Sequence, residues 1–400
     1  MNMHRIVFFV ALLTLSVPAI ARPIFSITGT ANITRAHCDG DVVVVGGFHS
    51  ITLPPAKGWD DGCDIWIKDG DTDAGKRLIG FPANVSRKLY PKQAVNITTL
   101  GGEWISKYVP GRYMLRDTTE VFVSGGPLGD DDNDGLSVST PLQHINTAGL
   151  VIQTDFDLRH GSPIIAVDCG YTYNEQLSLG GQPVGGNLIQ LSPRCRNGRF
   201  TWTFTPEQPG QPGPCINFGD NAMLDLRLNY YGDLSGIDMY CNPYNVAGTG
   251  AIAGHNNPVL DIEGGKGSLV VHGAGDNDHA IWFDGKGIGT VQGLVVAGTF
   301  DTAIALGAGG KITVSPPVGC IGPECYSVDI CGTPTLNAVW SLQGGSNILL
   351  GGPAAPGGYK SLAASAIVEG NSTLNVFGLT MPTLPPAKTK DGGRVCTTLC

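Results

Sequence analysis

The chain has 400 residues, of which 15% are charged, and its formal net charge is −9. An acidic chain with so few cationic side chains is a poor match for nucleic acid or anionic lipid, so we expect neither as a partner. Its 58 glycines, together with the scarcity of helix-forming segments, indicate an all-β protein.

The first 21 residues have the features of a secretory signal peptide. Arg5 precedes an apolar run from 6 to 20, and Ala19-Ile20-Ala21 supplies the small residues of a cleavage site. The run is too short to cross a bilayer, and no later apolar segment is long enough, so we expect no membrane span. The sequence predicts a secreted or periplasmic protein whose mature chain begins near Arg22.

Residues 22–118 are predicted to form a small separate β domain. Short apolar segments alternate there with Gly, Pro and Asp turns, and no repeat of about 22 residues is visible. The expected strands are Asp41–Val45, Ile65–Ile67, Ala94–Ile97 and Glu103–Ile105.

An acidic turn follows a strand at 121–123. Asp130, Asp132 and Asp134 are spaced like the start of an EF-hand calcium loop. The twelfth position, where that loop needs a bidentate Glu, is Pro141. The sequence therefore favours a polar turn over an EF-hand site.

A short helix is predicted after this turn. Thr140 is expected to be its N-cap and Pro141 its first residue. Leu142, Ile145 and Leu150 would then form its apolar stripe.

The stretch from Val121 to Ala148 resembles the entry motif of right-handed parallel β-helix proteins, the pectate-lyase-like superfold. In that motif a strand leads into an Asn-Asp-Gly-Leu-like turn, then Thr-Pro and a helix that caps the open end of the solenoid. The preceding region resembles the N-terminal module of prophage tail-fibre and tailspike-like proteins. The matching residues are 69–82, Leu89-Tyr90-Pro91 and Gly102-Glu103-Trp104.

Together with the repeats below, this resemblance covers about residues 48–385. It implies a right-handed parallel β-helix with a capping helix, and tailspike-like relatives imply a homotrimer. The signal peptide departs from the pattern, because tail proteins assemble in the cytoplasm. An exported relative is therefore favoured, with virion association as the alternative localisation.

The last three-fifths of the chain contain an apolar–any–apolar triplet about every 22 residues. Such a period, carried by strand-length segments, predicts a β-solenoid at 119–385, followed by a tail at 386–400. We expect the triplets to stack in one sheet, with their first and third residues inside. They begin at Ile165, Ile189, Ile216, Ile237, Leu260, Ile281, Ile304, Val328, Ile348 and Leu374.

Stacking in one sheet would gather an acidic patch on three consecutive coils. The predicted catalytic carboxylates are Asp238, Asp261, Glu263 and Asp284. Like charges on adjacent strands repel each other. A bound cation such as calcium, a protonated carboxyl with a raised pKa, or a stagger of the coils would relieve that repulsion.

Aromatic and histidine side chains accompany the predicted patch. Tyr240 and Trp282 would offer flat faces to a sugar ring. His255 and His279 are expected in loops beside the same coils, where either could bind substrate or act as a base. A pectate-lyase-like mechanism is disfavoured because no arginine follows the acidic coils.

Eleven cysteines lie beyond the predicted signal peptide, so an exported chain could form disulfides. Local pairs are plausible at Cys38–Cys63 and Cys396–Cys400, and within Cys320, Cys325 and Cys331. Cys169 and Cys195 could staple adjacent coils. The cysteine spacing predicts no metal site.

These features predict an exported tail-fibre or tailspike-like β-helix protein that binds surface polysaccharide. One alternative is a polysaccharide-degrading enzyme, a glycoside hydrolase or lyase, that uses the acidic patch. The other is a structural, adhesin-like solenoid. No cofactor is predicted, and calcium is the alternative.

Overall fold

A computed structural model describes residues 22–115, 119–159, 161–181, 183–186, 188–211, 213–232, 234–241, 249–264, 269–275, 279–307 and 309–315, together with the backbone of seven later strands. Nearly all regular structure among these residues is β, and the one α-helix that they contain, α1, spans Ile145–Thr154. The predicted signal peptide and the cysteine pairs proposed beyond residue 315 lie outside the residues whose side chains are described.

The N-terminal region folds as a small β domain with nine strands and a 3-10 helix at Arg35–His37. The strands are β1 (Ile24–Thr28), β2 (Ala31–Asn32), β3 (Asp41–Val45), β4 (His49–Thr52), β5 (Asp64–Asp69), β6 (Lys76–Ile79), β7 (Lys88–Leu89), β8 (Ala94–Leu100) and β9 (Glu103–Tyr108). All four strands expected from the sequence are present.

The sequence missed one property of this domain. Strands β1, β3 and β5 pair in parallel, as do β2, β4 and β6, so the chain alternates between two sheets. Antiparallel pairing appears only with β7, β8 and β9. The domain thus begins with short parallel coils, whose strands are too brief and unevenly spaced to give a visible repeat.

The described residues from Tyr113 onward form a parallel β-helix. Its strands are β10 (Tyr113–Met114), β11 (Glu120–Val123), β12 (Phe156–Asp157), β13 (Ile164–Asp168), β14 (Thr172–Asn174), β15 (Leu177–Gly180), β16 (Ile189–Arg194), β17 (Asn197–Thr203), β18 (Ile216–Gly219), β19 (Met223–Arg227), β20 (Leu234–Tyr240), β21 (Ile252–His255), β22 (Val259–Glu263), β23 (Leu269–Ala274), β24 (His279–Phe283), β25 (Ile288–Gln292), β26 (Leu294–Leu306), β27 (Lys311–Ser315), β28 (Val328–Ile330), β29 (Thr335–Leu342), β30 (Asn347–Leu350), β31 (Ser365–Glu369), β32 (Thr373–Asn375), β33 (Lys388–Lys390) and β34 (Arg394–Cys396).

Two sheets form the walls of the solenoid. Sheet 1 has the order β11-β13-β16-β19-β22-β25-β27-β30-β32-β34. Sheet 2 has a first column, β14-β17-β20-β23, and a second column, β15-β18-β21-β24, which the long strand β26 joins. Strands β28, β29, β31 and β33 continue sheet 2, and both sheets therefore reach into the range expected to be a C-terminal tail.

The prediction that all triplets share one sheet is wrong. Ile237 lies in the first column of sheet 2, Leu260 in sheet 1, and Ile281 and Ile304 in the second column. Each typical coil contributes three strands, not one. Positions 165, 191, 226, 262, 291 and 314 are neighbours in sheet 1, so a coil contains between 23 and 36 residues.

The alternation within each triplet is confirmed. The first and third residues are buried in every triplet whose side chains are described, from Ile165 to Leu306. Side chains of successive strand residues point to opposite faces, so these apolar residues fill the interior of the solenoid. The interior is one continuous core that also includes Phe200, Trp202 and Phe283.

Helix α1 covers the N-terminal end of this core, but it begins later than predicted. Residue 142 pairs with Val123 as an isolated parallel bridge, and its N–H donates to the carbonyl of Phe122. The segment after Pro141 is therefore extended, and the N-cap is His144, not Thr140. Leu150 is 54% exposed, so its placement on the buried stripe is also wrong.

Glu175 satisfies the first amides of α1. Its two carboxylate oxygens accept the N–H groups of Ile145 and Asn146 at 2.9 and 2.8 Å. Asp131 accepts the N–H groups of Gln143 and His144, both at 3.0 Å. Free amides at a helix N-terminus need such partners, so these carboxylates fix the cap to the first coil.

The acidic turn is an Asx-rich junction between the two regions. Asp134 accepts hydrogen bonds from Thr140 Oγ1 at 2.6 Å and from the N–H of Gly75 at 2.6 Å. Asp132 forms an ion pair with Arg77 of β6. Within the described residues, no group of three or more His, Cys, Asp or Glu side chains is arranged to hold a metal ion.

Three disulfides are present in the part of the chain that the structure describes. Cys38–Cys63 and Cys169–Cys195 were predicted from their positions, and Cys215–Cys241 was not. Disulfides persist in oxidising compartments, so they indicate an extracytoplasmic location. No helix among the described residues is both long and apolar enough to cross a membrane.

Candidate functional site

The structure divides the predicted acidic patch among three separate surfaces. Asp238 lies in the first column of sheet 2, on β20, while Asp261 and Glu263 lie in sheet 1, on β22. Asp284 directly follows β24 in the second column. The expected stacking of Asp238 on Asp261, and of Glu263 on Asp284, is therefore wrong, because those strands belong to different walls of the coil.

On the first column, the two predicted residues have their own partners. Asp238 Oδ2 lies 2.8 Å from Arg199 Nε, in an ion pair across adjacent strands. Tyr240 stacks on His272, with ring centroids 4.0 Å apart and planes 6° apart. The carboxylate of Asp238 is therefore paired with a guanidinium group instead of with the other predicted carboxylates.

On the second column, three predicted residues do come together. His255 Nδ1 lies 2.6 Å from Asp284 Oδ2. The rings of His255 and Trp282 meet edge to face, with centroids 5.3 Å apart. The expectation that these residues lie near one another is confirmed, but Asp238, Asp261 and Glu263 are elsewhere. His255 is the last residue of β21, so the prediction that it lies in a loop is wrong.

His279 is not the loop residue that the sequence predicted. It is the first residue of β24 and is only 7% exposed. Its Nδ1 lies 2.6 Å from Thr302 Oγ1, and burial lowers its pKa. Since it shares the inward side of β24 with Ile281 and Phe283, it belongs to the interior of the solenoid.

A group of four charged side chains lies on the outward side of sheet 1. We call it the acid face and define it as Asp225, Arg227, Asp261 and Glu263. Asp225 is the ladder neighbour of Asp261, and Arg227 is the ladder neighbour of Glu263. Arg227 Nε lies 2.8 Å from Asp225 Oδ2 and 3.9 Å from Glu263 Oε2.

Asp225 is unusual among these residues because its side chain is only 3% exposed. Burial raises its pKa to about 6; Arg227 pulls the value down, while the charges of Glu263 and Asp261 push it up. Its Oδ1 is buried and has no hydrogen-bond partner within the described part of the chain. The carboxyl therefore retains a proton in mildly acidic solution, unlike an ordinary aspartate.

A shallow cavity of about 490 Å³ lies beside Asp261 on the same outward surface. It spans three consecutive coils, because its lining comes from β22, β25 and β27. Carboxylate, hydroxyl and ammonium groups alternate there with aliphatic side chains. The outward lining residues are Val259, Asp261, Ile288, Thr290, Lys311 and Thr313.

Sequence reasoning missed Asp225 and Arg227, although a signal for them exists. Leu224-Asp225-Leu226 has the same apolar–any–apolar pattern as the chosen triplets, and Leu224 and Leu226 are fully buried. This triplet does not fit a 22-residue spacing, so a repeat defined by that spacing excludes it. Its true ladder partner, Leu260-Asp261-Ile262, is 36 residues later.

Chemically, the acid face can bind polar groups or transfer a proton. Adjacent parallel strands are about 4.8 Å apart, so the carboxyls of Asp225 and Asp261 are held at roughly the spacing of a retaining glycosidase pair. The raised pKa of Asp225 distinguishes it from Asp261 as the protonated member.

Comparison with known proteins adds no relative. No protein-family model matches the chain, and neither a curated protein nor a solved structure is significantly similar to it. The parallel β-solenoid architecture is therefore established by strand pairing alone, and its relation to particular β-helix families stays an expectation.

Proposed function

We propose that the protein is an exported β-helix protein that binds polysaccharide along sheet 1, in the manner of the tail-fibre and tailspike-like proteins that its sequence resembles. The observation that carries this proposal is the 490 Å³ cavity beside Asp261, which crosses three coils. An extended, open surface of this kind fits a chain of sugar units better than a single small molecule. Assembly as a homotrimer is part of the same proposal.

The lining of the cavity suits a saccharide. The hydroxyls of Thr290 and Thr313 and the carboxylate of Asp261 can exchange hydrogen bonds with sugar hydroxyls. Ile288 is 48% exposed and gives an apolar surface against which the C–H face of a ring can pack. Mixed apolar and directed polar contacts of this kind are typical of small-molecule sites.

The test is glycan-array binding of the wild-type protein, followed by affinity measurement on the best glycan. Asp261→Asn and Thr313→Val should each weaken binding at least tenfold, which corresponds to about 1.4 kcal/mol. Thr201→Val, a similar change on the first column of sheet 2, is the matched control and should leave affinity unchanged. Equal affinities for all four proteins would remove sheet 1 from consideration.

A second candidate, glycoside hydrolysis, is favoured specifically by the pKa of about 6 at Asp225. In this mechanism, Asp225 donates a proton to the oxygen of the glycosidic bond, which breaks. Asp261 acts as the nucleophile and forms a glycosyl–enzyme ester. Water then hydrolyses the ester, with Asp225 taking a proton from it.

Hydrolysis and simple binding differ in their response to Asp225→Asn. If the protein is a hydrolase, reducing-end release from the bound glycan should fall at least a hundredfold in Asp225→Asn and in Asp261→Asn, while the glycan still binds. Glu263→Gln should reduce activity less, since Glu263 is exposed and pairs only weakly with Arg227 at 3.9 Å. If the wild-type protein binds a glycan but releases no reducing ends, hydrolysis is excluded and only the binding function is supported.

A further inference from the structure

A second cavity, of about 230 Å³, lies on a different wall of the solenoid, on the outward side of the second column of sheet 2. We call it the trough. Strands β15, β18 and β21 form its floor, so it also crosses three coils. Its outward lining residues are Ser178, Gly180, Asn217, Gly219, Asp220 and His255.

Gly180 provides part of the space in the trough without an evident structural reason. It lies in β15 with a φ outside the left-handed region, so its backbone does not require glycine. A Cβ built on it would meet no atom within 4 Å. Glycine within a strand weakens the strand, and it often marks a place where another group approaches closely. No group among the described residues does so here.

Asn217 presents a polar atom that the fold leaves without a partner. Its amide oxygen is shielded from solvent and accepts no hydrogen bond from the described residues. Buried polar atoms are nearly always paired, and an unpaired acceptor costs about 1–3 kcal/mol. Because Asn217 lines the trough, rotation of its amide group would bring this oxygen to a donor from a bound molecule.

His255 closes one end of the trough. Its Nδ1 is hydrogen-bonded to Asp284, and its ring packs against the edge of Trp282, so its orientation is fixed. Asp220, at another edge, accepts a hydrogen bond from Asn256 at 3.0 Å. The trough thus contains two acceptor groups, the carboxylate of Asp220 and the amide oxygen of Asn217.

The charge of the trough selects against anionic ligands. Asp220 and Asp284 carry negative charge, and among the described lining residues His255 is the one side chain that can become cationic. A carboxylated or sulfated sugar would meet like charge and no guanidinium or ammonium group. A neutral or amino sugar has the hydroxyl or N–H donors that these acceptors need.

We infer that the trough is a second saccharide subsite, separate from the acid face, which takes a neutral or amino sugar unit. That the ligand is a sugar rests on the proposed function, whereas its position and charge follow from the trough itself. A chain that offers sites on two different walls could bridge two glycan strands.

The test is isothermal titration of the full chain with four probes: maltotetraose, chitotetraose, its deacetylated tetramer, and trigalacturonate. We expect at least one of the first three to bind and trigalacturonate to be the weakest. Gly180→Thr should lower the affinity at least tenfold, because it fills open space on a strand that tolerates a β-branched residue. Asn217→Leu should do the same by removing the acceptor.

Two further variants separate this proposal from the proposed function. Thr201→Val, on the first column, should leave the affinity unchanged, and thermal unfolding should show that Gly180→Thr is folded. Binding that survives Gly180→Thr but is lost in Asp261→Asn overturns the trough and supports the acid face. Binding that is lost in Gly180→Thr and kept in Asp261→Asn supports the trough and overturns the acid face. Tightest binding of trigalacturonate, or no binding of any probe, overturns the trough proposal.

Discussion

The acid face and the trough are built on the same interior but differ completely outside it. Beneath the acid face lie Leu226 and Ile262, and beneath the trough lies Phe218, all of them buried. Outside, the acid face carries long charged side chains that pair and partly bury one another. The trough instead carries glycine and small polar residues. Inward positions are constrained by packing, and outward positions are left free to acquire function.

The two surfaces also use unsatisfied polar groups differently. At the acid face, the buried group is the carboxyl of Asp225. Burial raises its pKa to about 6, and the nearby charge of Arg227 offsets only part of this rise. At the trough, the unpaired group is an uncharged amide oxygen of Asn217. The first arrangement can respond to pH, whereas the second can respond only to a ligand.

The largest effect should come from the shared interior. Phe283→Ala and Ile262→Ala each leave a cavity in a fully buried position, and we expect losses of about 3–5 and 2–5 kcal/mol in the free energy of unfolding. Because repeats contact mainly their neighbours, hydrogen exchange should speed up chiefly in the adjacent coils. Urea unfolding with hydrogen-exchange mass spectrometry measures both quantities.

The outward variant Asp284→Asn serves as the control for this prediction and should cost less than about 1 kcal/mol, since its carboxylate is exposed. If it destabilises the chain as much as Phe283→Ala does, the division into a constrained interior and free outer surfaces fails.

A smaller, pH-dependent effect should distinguish the acid face. The folded-state pKa of Asp225 is raised, so its contribution favours folding most below its unfolded pKa of about 3.9 and is lost as pH rises through about 6. Arg227 offsets that loss when the carboxylate is charged. Arg227→Ala should therefore cost about 2 kcal/mol at pH 8 and little at pH 5.

Chemical denaturation at the two pH values measures this difference. The double variant Asp225→Asn/Arg227→Ala is the control, because it removes the titrating group and should remove the extra pH dependence. A penalty for Arg227→Ala that is equal at pH 5 and pH 8 would show that Asp225 does not titrate as the structure indicates.

The fold class could be predicted from the sequence because it depends on a local property of each strand. Inward and outward positions alternate along each strand, so Ile237 and Met239 could be placed inside without knowing which sheet holds them. The capping region could likewise be predicted from the sequence. The start of its helix at Ile145 could not, because the extended pairing of Leu142 with Val123 is a long-range contact. Cys169 and Cys195 could be paired because each follows a neighbouring sheet 1 strand.

The candidate site could not be assembled in the same way. Which strands stack depends on the number of residues in each coil, and between positions 165 and 314 a coil varies from 23 to 36 residues. A mean spacing therefore aligned Asp261 with Asp238, on a different wall, and hid its true neighbour Asp225. By contrast, His255 and Asp284 came together because β21 and β24 are adjacent strands of one column.

The smallest expected effect compares two glycines of the trough. Gly180→Ala should raise the free energy of unfolding by about 0.5 kcal/mol, since its Cβ meets open space and a strand glycine is entropically costly. Gly219→Ala should instead be neutral or destabilising, because its Cβ would lie 3.0 Å from the carbonyl oxygen of His255. Thermal unfolding of the two variants decides the sign. If Gly180→Ala also destabilises the protein, the fold itself requires glycine at this position, and a ligand is not needed to explain it.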